Sequence, residues 1–211
     1  MEINYSFNLV LIIIIVAISL YTGNRPALLQ KLMMNPYRIV HNKEYYRMLS
    51  SGFIHGGMAH LFFNCFTLYF FGSLMERIFN QLFGPLGTLY YLLLFILGVV
   101  ISDIPTLVKH KNNFHYNSLG ASGGVSAVVF ASIIFNPLGE IYLFLIPFGI
   151  PGFILGLVYL IYSYYQSKNS SDHINHDAHF FGALFGVAYS VILYPSVIPH
   201  FFRELSRWTF F

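Results

Sequence analysis

Charge is the scarcest property of this chain. Eleven basic and eight acidic side chains serve 211 residues, 9% of the total, where a soluble globular domain carries about a quarter. So few cannot keep a 24.2 kDa globule in water, and the mean hydropathy is +0.64. Together these exclude a soluble enzyme, a disordered tail and a nucleic-acid-binding module. The surplus of +3 is too small to mark a polyanionic partner. Cysteine is as scarce: a single Cys65 excludes an internal disulfide and a thiolate metal cluster. No basic segment precedes the apolar block Leu11 to Val16 and no small-residue cleavage site follows it. That block therefore reads as an anchor and not as a signal peptide. What remains is 56% hydrophobic and 19% aromatic, the composition of a protein whose main partner is the lipid bilayer.

The positions of the few charges say more than their number. They leave six charge-free gaps, at 3–24, 48–75, 78–102, 112–139, 141–167 and 178–202. Each is long enough for the roughly 20 residues that a helix needs to cross the hydrocarbon core. Continuous apolar runs argue for helices over the alternating strands of a barrel. The reading is an all-α, polytopic membrane protein with six transmembrane helices at about 5–22, 58–79, 84–103, 120–136, 150–166 and 178–195. No shift in composition marks a second domain. The long first loop, 23–57, is expected to carry short interfacial helices. The polar stretch 166–175 is expected to form a mobile, wet connection between the last two spans.

Strongly polar groups at membrane depth are costly and are functional candidates by default. Three clusters qualify. The second span opens with His60 and Asn64, one helical turn apart, with His55 just upstream. The fourth opens with Gly120-Ala121-Ser122-Gly123-Gly124, and the sixth with His176, Asp177 and His179 followed by Gly182 and Gly186. Even-numbered spans run in one direction, so all three clusters meet in one leaflet. That arrangement implies one site.

Ser122 sits at a helix start, where backbone N–H groups lack intrahelical acceptors and favour a developing negative charge. His179 shares a helix face with Gly182 and Gly186, while Gly123, Ala127 and Ala131 form a small-residue face on the fourth span. Two such faces approach closely in a bilayer. They would bring the Ser122 hydroxyl near the His179 imidazole as nucleophile and general base. His60 and Asn64 would add donors for an oxyanion. Blander readings compete. The GxSG run alone is a weak signal, and Gly182 and Gly186 are more often plain packing. His173, His176 and His179 could face one metal, but further ligands and an HExxH motif are missing, so no metal and no other cofactor is expected. Asp177 lies on another helix face from His179 and makes a poor third triad member. Arg47 and Glu76 read as structural, one anchoring the first loop and the other ending the second span. Phe153, Tyr159, Tyr162, Tyr164 and Tyr165 around the fifth span either gate access or face lipid, with lipid the default.

In this order, the clusters resemble the rhomboid family of intramembrane serine proteases. The likeness runs from about Glu44 to Gly186 through Tyr46-Arg47, His55, His60, Asn64, Gly72, Glu76, Gly120 to Gly123, and the AHxxGxxxG of Ala178 to Gly186. It implies Ser122 as nucleophile, His179 as base, and His60 and Asn64 with the Ser122 N–H as oxyanion donors. Gly120 would frame that pocket and His55 support it. It further implies a six-helix bundle around a water-filled cavity, a fifth helix acting as gate, and substrates that are membrane-spanning helices. One position departs. Four residues past the nucleophile, where many members place an aromatic ring under the imidazole, stands Ser126. Ser126 is expected to hold His179 by hydrogen bonding or through water. Rival readings are a six-helix transporter or channel with a histidine proton relay, and a non-catalytic relative that only binds transmembrane helices.

Orientation sets two arguments against each other. Eight basic residues (Arg25, Lys31, Arg38, Lys43, Arg47, Lys109, Lys111, Lys168) flank the site side and three (Arg77, Arg203, Arg207) the other. The positive-inside rule would turn the site to the cytoplasm. The resemblance places it on the non-cytoplasmic side of a cell (inner) membrane, and five of the eight lie in the long first loop.

Overall fold

The computed structural model describes residues 6–143, 147–169 and 174–209. Among the described residues the structure is all-α apart from a ribbon of two strands, two residues each. Helix α1 is Phe7–Gly23, and three short helices follow in the first loop: α2 (Pro26–Leu32), α3 (Pro36–His41) and α4 (Arg47–Ser50). A second long stretch comprises α5 (Met58–Thr67), a π-helical turn at Leu68–Gly72 and α6 (Ser73–Phe83). Then come α7 (Gly87–Ser102), α8 (Ile104–His110) and α9 (Ser122–Phe135). The ribbon pairs β1 (Glu140–Ile141) with β2 (Ile150–Pro151) antiparallel, ahead of α10 (Gly152–Asn169), α11 (His176–Leu193) and α12 (Val197–Ser206). All six expected spans have a helical counterpart shifted by a few residues, and the short helices expected in the first loop are present. Of the polar stretch 166–175, residues 166–169 extend α10, and 170–173 lie outside the described residues.

By length and hydropathy alone, the helical run Met58–His110 qualifies as membrane-crossing, and α11 with α12 qualifies as a pair bent by 111°. The first run is not one rod. Fifty-three residues would extend about 80 Å at 1.5 Å per residue, far beyond a hydrocarbon core of about 30 Å. Gly84 takes φ +55°, a left-handed conformation that suits glycine. With Pro85 next to it, the chain reverses there and α6 packs along α7.

Helix α9 lies at the centre, packed by α7, α11, α10 and α12. Every residue in it is buried except Ser122, Val129 and Phe135. Its neighbours come close because side chains are missing at the crossings. A Cβ on Gly182 would strike the Gly123 carbonyl, and one on Gly186 the Ala127 carbonyl. On the other flank a Cβ on Gly98 would meet Ala127 Cβ at 2.8 Å and Gly124 Cα at 3.1 Å. At the far end His200 Nε2 on α12 donates to the Phe135 carbonyl (2.9 Å), one of the acceptors a helix end leaves open.

Glu76 does not end its span as expected, because it lies in the first turn of α6, which continues to Phe83; it is structural in another way. Its buried carboxylate accepts from Ser6 Oγ (2.8 Å), Phe7 N (2.8 Å) and Asn8 N (3.2 Å), capping the start of α1. A carboxylate there also complements the helix dipole. Asn8 continues the junction, donating to the Leu68 carbonyl (2.9 Å) and Ser73 Oγ (3.0 Å) and accepting from the Tyr91 hydroxyl. Only glycine fits at position 72, where a Cβ would meet Asn8 and Tyr91.

The crossing geometry makes a quantitative expectation. Gly186→Ala forces α11 away from α9 and should cost about 1–3 kcal/mol, the usual range for overpacking, read as a lowered thermal midpoint in detergent. Gly23→Ala, where nothing lies within 4 Å, should leave the midpoint unchanged. Equal midpoints for the two variants would contradict the side-chain-free crossing.

Candidate active site

Ser122 is the first residue of α9, and the backbone leading to it is irregular. Irregular backbone at membrane depth survives only where protein or trapped water satisfies it. Here the first loop does so. Met34 and Ser118 exchange both backbone hydrogen bonds (2.9 and 3.0 Å). Gly120 N donates to the Ser51 carbonyl (2.9 Å), and Ala121 N donates to His55 Nε2 (3.4 Å). Gly120 has φ +121°, and a Cβ there would collide with the His60 ring. Glycine is required on both counts.

The loop that provides these contacts is itself pinned by Arg47, 1% exposed. Its guanidinium pairs with Glu44 and donates to the Gln30 and Met33 carbonyls, both at 2.9 Å. The same guanidinium holds the Glu44 carboxyl below the usual carboxylate range. Arg47 thus anchors the long loop as its sequence position suggested.

His55 links three segments. Because Nε2 accepts from Ala121, the ring proton sits on Nδ1 and is donated to Ser19 Oγ on α1 (2.9 Å), which in turn donates to the Phe53 carbonyl (3.1 Å). Its ring also meets the His60 ring edge to face at 4.9 Å. Burial, aided by His60, lowers its pKa to about 3.

The histidine helix α11 is set by its cap. Asn175 Oδ1 accepts from Ala178 N (3.1 Å) and from Thr106 Oγ1 (3.0 Å), while Nδ2 donates to Asp103 (3.2 Å). Thr106 on α8 is fully buried, so α8 is a seat for the start of α11. Lys109 on α8 adds an ion pair to Asp177 at 3.0 Å. Asp177 is thereby engaged away from His179, in keeping with its exclusion from a triad.

Ser122, His179, His60 and Asn64 all line one cavity of about 940 Å³, together with Ser126. Gly120 borders it through His60, and His55 lies behind. Ser122, His179, His60, Asn64 and Ser126 thus share one cavity, with Gly120 and His55 packed against His60 beside it. Asn64 spends one amide hydrogen on the His60 carbonyl (3.0 Å) and retains a second. Ser126 Oγ shares a hydrogen bond with the Tyr159 hydroxyl (2.9 Å), and the Tyr159 ring stands nearly parallel to the His179 ring, centroids 6.3 Å apart and planes at 23°. Tyr159 corrects the lipid-facing default for the aromatic residues of the fifth span. Sequence spacing could not reveal this, because the ring arrives from a different helix. Tyr164 and Tyr165 are exposed, Tyr162 stands edge-on to His176, and Phe153 contacts Trp208. His173, needed for the metal alternative, lies outside the described residues. Among those described, no three His, Cys, Asp or Glu side chains gather to hold a metal.

The state of His55 sets a pH dependence. A histidine with a folded pKa near 3, against 6.5 when free, binds fewer protons folded than unfolded between those values. Its contribution to stability is therefore full above pH 6.5 and is lost as the pH falls toward 3. His55→Gln should lower the midpoint at pH 7 and flatten its decline between pH 7 and 4. Parallel slopes for parent and variant would show that His55 is not held neutral.

Comparison with known proteins identifies the family. Residues 42–196 match the Rhomboid domain family. The chain is 26% identical over 174 residues to RHOMBOID-like protein 12, mitochondrial, of Arabidopsis thaliana, covering 73% of this chain and 49% of that protein. It is 39% identical over 88 residues to RHOMBOID-like protein 4 of the same plant, covering 42% and 20%. The chain thus spans half or less of the length of these curated relatives. With the domain matched across most of the sequence, the chain belongs to the rhomboid family and is a membrane protein built as a helical bundle.

Proposed function

We propose that this protein is an intramembrane serine endopeptidase that cleaves transmembrane segments of other membrane proteins. The observation that carries the reading is the convergence of Ser122, His179, His60 and Asn64 on one cavity from three separate helices. Ser122 Oγ attacks the scissile carbonyl while His179 takes its proton and returns it to the leaving amine. The Ser122 N–H, the second Asn64 amide hydrogen and His60 hold the oxyanion. Water then attacks the acyl-enzyme ester with His179 again as base. No metal or organic cofactor enters these steps.

The bundle behind this chemistry is one membrane domain with six spans: α1, α5 continued through α6, α7, α9, α10 and α11. Helix α9, with 14 residues, extends only about 21 Å. A helix wrapped by others and beginning inside the bilayer needs no greater length. The cavity opens to the non-cytoplasmic side of a cell (inner) membrane, and substrates are helices with small residues before the cleaved bond.

A serine-directed fluorophosphonate tests the chemistry. Parent protein should be labelled, Ser122→Ala should not, and cleavage of a membrane-anchored reporter should vanish in both Ser122→Ala and His179→Asn. Asn64→Ala should retain labelling at a rate reduced about 10²-fold or more, the size of one lost oxyanion donor. Dispensable Ser122 with essential His60 and His179 would favour a proton-relay transporter, and labelling without cleavage a helix-binding relative. Orientation is read separately. In a Cys65→Ser background, Asn169→Cys should react with an impermeant maleimide from the non-cytoplasmic face; reaction from the cytoplasm alone would reverse the assignment.

A further inference from the structure

We propose that Tyr159 on α10 is the positioning residue that orients the His179 imidazole, so that the helix forming one wall of the cavity also carries the ring on which the base rests. The inference rests on the protease reading. Three observations support it. The Tyr159 ring lies nearly parallel to His179, at 23° and 6.3 Å, a separation within the range where offset aromatic pairs attract. Its hydroxyl is fixed by Ser126 at 2.9 Å, one turn beyond Ser122 on α9. And Tyr159 continues the narrow stripe of α10 that faces the bundle, with Gly152 and Gly156 before it and Ser163 after it.

That stripe gives the contact its character. Gly156 packs against Ile133 and Phe130 of α9, where a Cβ would approach Ile133 to 3.1 Å. Gly152 N and Phe153 N donate to the Gly139 and Pro137 carbonyls at 2.9 and 3.0 Å, tethering the start of α10. On the opposite face Leu157, Val158 and Ile161 are exposed. Helix α10 is therefore held at its beginning, along one line of small residues, and near its end by Lys109 donating to the Ser167 carbonyl (3.2 Å) and Tyr164 against Phe180 of α11; Tyr159 is the large side chain on that line. A substrate helix that pushed α10 outward would lift the ring from the imidazole unless it reseated the ring on docking. Access to the cavity and orientation of the base are thus coupled through one side chain.

The test uses full-length protein in detergent. In the parent, the His179 ring signals, assigned by their loss in His179→Asn, should carry a ring-current shift that disappears in Tyr159→Ala and persists in Tyr159→Phe. Fluorophosphonate labelling of Ser122 should slow about tenfold in Tyr159→Ala, the scale of a lost aromatic contact, and about threefold or less in Tyr159→Phe and Ser126→Ala. Reporter cleavage should lose kcat with KM little changed. The double variant Ser126→Tyr with Tyr159→Ala, which offers a ring from α9 into the vacated space, should recover most of the labelling rate and a shifted His179 signal. Tyr159→Ala with parental labelling, or with an unchanged His179 signal, overturns the proposal. If the parent shows no Ser122-dependent labelling, the protease reading fails, while the His179 signal still decides whether Tyr159 holds the ring.

Discussion

The structure depends on backbone meeting backbone at α9. In a bilayer, apolar side chains gain nothing by leaving lipid for protein, so helices associate through close packing. At Gly123 with Gly182, Ala127 with Gly186 and Gly98 with Gly124, no large side chain intervenes. Such contacts have no rotamers to adjust. The depth of Ser122 and of His179 is consequently set by the register of two rigid rods, and a slip by one residue would put a side chain where only hydrogen fits. The same residues could be read as generic membrane packing. Here they are also the coordinate system of the proposed dyad.

Close packing aligns the helices but does not satisfy the stretch that ends at Ser122. That task explains why the first loop is long and carries structure. Met34, Ser51 and His55 reach the backbone of residues 118, 120 and 121 in succession, and Arg47 holds the loop that bears them. A buried guanidinium is expensive unless fully partnered, and this one has a carboxylate and two carbonyls. Loss of Arg47 would therefore reach Ser122 through backbone hydrogen bonds, with no direct contact needed. The asparagine cap plays the matching part for His179, with α8 as its seat.

The helical segments were legible because each charge-free gap is at least as long as the helix it holds. The candidate site was legible as a grouping because polar groups are costly in lipid and few places need them, which singled out His60, Asn64, Ser122 and His179, the residues that share one cavity. Helices α8 and α12 escaped notice for the opposite reason: at seven and ten residues, with charges among them, they look like loops by composition. The actual role of Glu76, capping α1 some 70 positions earlier in the chain, is a tertiary fact with no local signature. Tyr159 is the clearest case. Ser126 showed that a ring was missing from α9, but spacing along one helix cannot say that a neighbouring helix supplies one.

That substitution changes how the cavity should be understood mechanically. One side of the site, α7, α9 and α11, is joined by crossings that admit no side chain and so resists deformation. The other side, where α10 leans on α9 through a stripe of small residues, offers an exposed outer face to lipid and is joined to its neighbours by side chains, Tyr162 with His176, Tyr164 with Phe180 and Lys109 with the Ser167 carbonyl. On the reading that Tyr159 orients the base, a ring projecting from α10 ties the imidazole to the wall held by side chains while its backbone stays with the rigid one. In the proposed dyad the imidazole then has a fixed position but a conditional orientation, and orientation is the variable that would decide whether a serine proton can be taken.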